Sequence, residues 1–243
     1  MSVVLKAVPE GSLKEVKHLL NEWTILGKLV HDNIVEVYRF GKDVALPERS
    51  GNFCLLAQEY ARHGNLLDLI KRGRLSVGQR RLLFWEVGQA LLHLHSNSIV
   101  HRDIKLDNIL IFDHEETGGV TAKLADFGFA SLLRSDQLTL NSFQGTRRGY
   151  MAPEIHACRE DPSNYYDPKA ADIFALGVVL FALVLGRLPF EFALSSDKLY
   201  SHIAEGRWKE FWAAHVAAFS KLESENDSLA AEFKDLFESL VTI

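Results

Sequence analysis

The chain has 243 residues, 47% of them hydrophobic, with 27 Lys and Arg against 32 Asp and Glu and a net charge of -5. That is enough apolar material for a substantial core, in one large domain or two lobes, and it excludes a disordered tail. Charges of both signs are spread along the sequence, so no nucleic-acid partner is expected, and Arg72, Arg74, Arg80 and Arg81 read as solvated faces.

Cys54 and Cys158 are too few and too far apart for a disulfide framework or for paired zinc ligands, which fits a reducing interior. The longest apolar run, residues 173–185, has 13 residues. A membrane span needs about 18 or more, so no span is expected and this run reads as a buried helix. Near Met1 there is neither a basic n-region nor a long apolar segment, and a cytoplasmic or nuclear location is the expectation.

In chain order, residues 2–8 are rich in valine and predict a buried strand ending at Pro9-Glu10-Gly11. Ser12, with Glu15 three residues on, is the expected N-cap of a helix on which Val16, Leu19, Leu20, Trp23 and Leu26 recur at helical spacing. Residues 35–40 and 53–60 read as strands separated by a polar stretch, which completes a small sheet-plus-helix lobe. From residue 61 the pattern turns helical, with apolar intervals over residues 66–70 and 82–94. Residues 109–112 and 121–124 are short apolar strands flanking a loop, a hairpin from which the segments on either side would hang. Trp208, Phe211, Trp212, Val216 and Phe219 outline a further amphipathic segment, with aromatics read as core packing, and residues 229–241 a last helix.

Chemistry concentrates around that hairpin. His101-Arg102-Asp103-Ile104-Lys105-Leu106-Asp107-Asn108 precedes it, and Asp126-Phe127-Gly128 follows it, eighteen residues after Asn108. Asn108 and Asp126 offer the hard oxygen donors that hold magnesium on phosphates, and Asp103 is a carboxylate able to orient and deprotonate a hydroxyl. That combination suits phosphoryl transfer.

These motifs, in this order, resemble the eukaryotic protein kinase superfamily, its serine/threonine group in particular. Val3-Val4-Leu5-Lys6, Glu22 nine residues before His31-Asp32-Asn33-Ile34-Val35, Gly145-Thr146, Ala152-Pro153-Glu154 and Asp172-Ile173-Phe174-Ala175-Leu176-Gly177 stand where the family has its further signatures. The resemblance implies an α+β, two-lobed fold, with residues 1–60 as a partial N-lobe and 61–243 as a C-lobe lacking its final helix. It implies ATP and Mg2+ as cofactors and a protein substrate bearing Ser or Thr.

By the same resemblance Asp103 is the catalytic carboxylate and Lys105 neutralises the transferred group. Lys6 contacts the phosphates and is held by Glu22, while Asn108 and Asp126 hold the metal. Glu59 and Ala61 would offer backbone groups to the purine, with Asn65 near the ribose and Leu110 beneath the ring. Gln58 would stand at the entrance to the pocket behind the purine, and Val4 replaces the usual alanine. Asp172 would anchor the loop around Asp103, and His101 would pack on Phe127. Thr146 would contact Asp103, and phosphate on Thr139 or Ser142 would pair with Arg102.

The resemblance starts after the two strands and glycine-rich loop that open the family's domain and stops before the arginine that pairs with the glutamate matching Glu154. Two readings of function are therefore carried forward. One is an ATP-dependent protein serine/threonine kinase; the other is a non-catalytic kinase-like module that binds a partner or nucleotide without turnover.

Overall fold

A computed structural model describes all residues except 1, 74, 115–117, 135–138, 141–148, 162, 226 and 243. Ser135, Ser142, Gly145, Thr146, Arg147 and Arg148 therefore lie outside the described residues. The chain divides into two compact units, Met1–Leu133 and Arg134–Ile243. The lobe boundary expected at residue 60 falls inside the first.

In the first unit, β1 (Val3–Pro9), β2 (Val37–Ala45) and β3 (Asn52–Glu59) form an antiparallel sheet in the order β1-β3-β2. Helix α1 (Leu13–Leu26) lays Leu19 against Cys54 and Leu56, with Val8, Val16, Trp23, Val37 and Phe40 around them. β1 is an edge strand with its side chains exposed or half-buried, so the expectation of a buried strand is corrected. Its valines fit a pleated surface whether or not that surface is covered.

Ser12 occupies the N-cap position of α1 without a capping bond, because its ψ of 68° is not the extended geometry that aims a side-chain oxygen at the first turn. Its carbonyl accepts the first helical bond, from Val16 N–H. The sequence-level cap signature is complete instead at α3 (Val77–Ser96), where Ser76 and Gln79 form a reciprocal capping box.

Helix α2 (Leu66–Lys71) precedes α3, and four short strands follow it: β4 (Ile99–Val100), β5 (Ile109–Asp113), β6 (Val120–Leu124) and β7 (Ser131–Leu132). β5 pairs with β6 as the expected hairpin, and β4 pairs with β7. Two ladders thus pin both flanks of the chemistry. Val100 opposite Ser131 fixes the start of the 101–108 loop beside the end of the 126–130 segment. Ile109 opposite Leu124 fixes the end of the loop beside the start of that segment.

The second unit is helical. It contains α4 (Pro153–Glu160), α5 (Pro168–Leu185), α6 (Lys198–Ala204), α7 (Trp208–Ala214), α8 (Val216–Glu225) and α9 (Asp227–Val241). Asp167 caps α5, with Pro168 at its first position, and left-handed Gly186 ends it at φ 72°. At 18 residues α5 is long and apolar enough to cross a membrane by length and composition, but 72% of it is buried among its neighbours, as a core helix would be. Phe181 of α5 meets Phe211 and Trp212 of α7 and Phe233 and Phe237 of α9, so the aromatics after residue 208 are core.

Candidate active site

Asp103 is 3% exposed, and its two carboxylate oxygens have different environments. Oδ2 accepts from Lys105 Nζ at 2.6 Å and from Asn108 Nδ2 at 2.9 Å. Oδ1 is buried and accepts no hydrogen bond among the described residues. Asn108 Nδ2 also donates to the Asp103 carbonyl at 2.8 Å, closing the loop on itself. An orphaned carboxylate oxygen is costly to bury, so its place calls for an incoming donor. A substrate hydroxyl is such a donor.

The loop is built around His101, which is fully buried. Its ring meets Phe127 edge-on at 4.7 Å and its Nε2 lies 3.1 Å from the Ala125 carbonyl, as expected of a core histidine. Arg102 and Asp126 both adopt left-handed backbone conformations, φ 68° and 64°, which are unfavourable for non-glycine residues and recur at functional sites. Ala125 N–H donates to the Asn108 carbonyl at 2.8 Å, which brings the residue before Asp126 onto Asn108.

Lys6 on β1 meets Glu22 on α1, Nζ to Oε1, at 2.7 Å. Glu22 is 2% exposed. Burial holds its carboxyl above the ordinary range, the Lys6 charge opposes that rise, and the charge of Asp126 adds to it. Lys6, Glu22, Asp126 and Asn108 are thus gathered in the first unit together with Asp103 and Lys105.

The expected purine contacts sit at the end of β3. Glu59 N–H donates to the Glu36 carbonyl, and the Ala61 carbonyl accepts from Gly64 N–H. Asn65 caps α2 through Oδ1, which accepts from Asp68 N–H at 2.9 Å, and it bridges to Leu110 through the backbone. The helix therefore uses one of the groups expected near a ribose. Val4 pairs in register with Gln58, which is 3% exposed and whose Oε1 is buried without a hydrogen bond among the described residues.

Sequence reasoning missed two ties. Lys123 Nζ grips both oxygens of Glu59 at 3.0 and 2.8 Å, joining the end of β3 to β6. Asn21, next to Glu22, reaches the carbonyls that follow Asp126. Neither residue belongs to a spaced motif, and only the packed fold brings the partners together.

Among the described residues no three His, Cys, Asp or Glu side chains group as a metal site. The donor set nevertheless fits a metal-bound polyphosphate, since Asp126 and Asn108 would offer hard oxygen donors to a cation that keeps several waters, and Lys6 would offer a matching positive charge. Asp172 is 2% exposed on α5 of the second unit, and Thr139 is exposed there.

A small sheet with its helix, a larger helical part, and an acid, an amide and a lysine around one loop define a fold and candidate site of the protein kinase class. The chain matches the protein kinase domain family over residues 1–243 and belongs to that family. Its similar relatives are serine/threonine kinases. It is 34% identical over 187 residues to the probable serine/threonine-protein kinase MARK-B of Dictyostelium discoideum, covering 76% of this chain and 24% of that protein. It is 32% identical over 212 residues to the human NUAK family SNF1-like kinase 1, covering 86% and 29%. It is 34% identical over 210 residues to the zebrafish (Danio rerio) serine/threonine-protein kinase SIK3 homolog, covering 85% and 16%. The chain thus spans less than a third of the length of these relatives.

Proposed function

We propose that the chain transfers the terminal phosphoryl group of ATP to serine or threonine hydroxyls of a protein substrate. The observation that supports this reading is the divided state of Asp103, with one oxygen held by Lys105 and Asn108 and the other buried and without a hydrogen bond among the described residues. In this reading the Asp103 Oδ1 receives the hydroxyl hydrogen bond, aligns the oxygen for in-line attack on the terminal phosphorus, and takes its proton as the bond to the leaving diphosphate breaks.

Lys105, already on Asp103, balances negative charge at the transferred group, and Lys6, steadied by Glu22, balances it on the phosphates that leave. Asp126 and Asn108 would hold magnesium, which when bound neutralises the phosphate oxygens. The Glu59 carbonyl and the Ala61 N–H would meet the purine edge, with Leu110 below the ring and Asn65 by the ribose. A cytoplasmic or nuclear setting accords with the two free thiols.

Radiolabelled ATP with a generic basic protein and magnesium, comparing the chain with Asp103→Asn, tests the proposal. Incorporation should fall by about 10²–10⁴-fold in the variant. Equal incorporation by both would remove the catalytic role and leave a non-catalytic nucleotide- or partner-binding module.

A further inference from the structure

The segment after Asp126 is tied to α1 by a contact that the phosphoryl-transfer reading does not use. Asn21 Nδ2 donates to the carbonyls of Phe127 at 3.1 Å, Gly128 at 3.2 Å and Ala130 at 2.9 Å. A primary amide carries two N–H bonds, so three carbonyls share two protons, and the tight turn is gathered onto a single side chain. One turn earlier on the same helix face, the His18 ring lies 4.6 Å from that of Phe129. The backbone of Gly128 is so close to α1 that an added Cβ would stand 3.2 Å from His18 Cβ.

Asp126 needs such a restraint for two reasons. Its backbone is left-handed at φ 64°, a conformation that persists in a non-glycine residue only where surrounding contacts over-determine it. Its carboxylate also lies near enough to Glu22 for the two negative charges to repel. The side chain of Asp126 makes no capping bond to the turn that follows.

We propose that Asn21 is a positioning residue, whose amide pins the Phe127, Gly128 and Ala130 carbonyls to α1 and so holds the Asp126 carboxylate beside the Lys6–Glu22 pair, presented to a divalent cation. This rests on the reading of Asp126 as a metal-holding group. It makes α1 a single support for the phosphate-side cation and the metal-side anion, because Asn21 and Glu22 are consecutive.

The experiment compares the chain with Asn21→Leu, of similar size without N–H donors, and with Asn21→Gln, which keeps the amide. Backbone hydrogen exchange is followed without nucleotide or metal, and ATP binding is titrated by calorimetry over a series of magnesium concentrations. Asn21→Leu should speed exchange at residues 127–130 by about tenfold while β1–β3 stay protected. It should raise the magnesium needed for half-maximal ATP binding by about tenfold, leaving magnesium-free binding within about twofold, and Asn21→Gln should recover part of both losses.

Unchanged exchange at 127–130 would overturn the proposal. So would equal loosening of β1–β3, which marks a merely structural role, or an equal loss of ATP binding at every magnesium level. None of these readouts requires turnover. A chain that transfers no phosphate yet shows the local loosening would refute the proposed activity and keep the tether.

Discussion

Glu22 ties the protonation of one buried acid to Lys6, the cation proposed to meet the phosphates. Its folded carboxyl lies above the ordinary value of 4.5, chiefly through burial, with Lys6 opposing. The folded state therefore holds that proton more tightly than the unfolded chain does. The stabilisation this provides is complete below pH 4.5 and is lost as the pH rises through the folded value, so the ion pair is formed at a cost to stability. Only above the folded value does Lys6 have its anionic partner. Phosphate transfer should accordingly fall on an acid limb that begins above pH 4.5. Glu22→Gln should lower transfer at pH 7 by about 10–100-fold and flatten that limb, the range expected for loss of a charge-assisted hydrogen bond. A pH profile of initial rates for the two proteins checks this, and an unshifted limb in the variant would assign it to another group.

At the scale of elements, the contact between α5 and α9 depends on a missing side chain. A Cβ at Gly177 would stand 2.9 Å from both Leu240 Cβ and Val241 Cγ1, so the helices approach at a point where alanine does not fit without movement. Gly177→Ala should destabilise the chain by about 1–3 kcal/mol through overpacking, despite the better helix propensity of alanine. A urea unfolding curve measures it; an unchanged midpoint would mean the helices slide apart freely. The capping box of α3 gives a second expectation at this scale. Ser76→Ala removes the bond to Gln79 N–H and should cost about 1 kcal/mol by the same measurement. Pattern reading found α1, the β5–β6 hairpin and the core character of α5. It missed the cap at Ser76 and expected one at Ser12, because a capping bond depends on backbone angles before the helix that residue types alone do not fix.

At the scale of the whole molecule, the second unit carries its own sensitivity to acid. His215 is 2% exposed, packs edge-on against Phe181 at 4.9 Å, and has Nδ1 against the Arg187 guanidinium and Nε2 3.1 Å from the Pro189 carbonyl. Burial first, and the Arg187 charge next, lower its pKa from 6.5 to about 4. A histidine depressed in the folded state contributes stability that is present above the unfolded value and lost as the pH falls through the folded one. The gap corresponds to roughly 3 kcal/mol at most. The thermal midpoint should therefore drop between pH 6.5 and 4, and His215→Asn should weaken that dependence while lowering stability at neutral pH. Parallel slopes for both proteins would place the acid sensitivity elsewhere.

The sequence by itself determined the family and the fold class and named a candidate site, because Asp103, Lys105, Asn108 and Asp126 stand in short, ordered motifs on either side of one hairpin. It also marked Lys6 and Glu22, whose types suffice to predict attraction once they meet. Only the tertiary structure decided which Asp103 oxygen is left open, that Glu59 is gripped by Lys123, and that Asn21 gathers three carbonyls beyond Asp126. The first turns on how three side chains of one loop orient, the second joins side chains 64 positions apart, and the third joins a side chain to backbone carbonyls that every residue shares, so the order of residue types carries no record of which partner each will face.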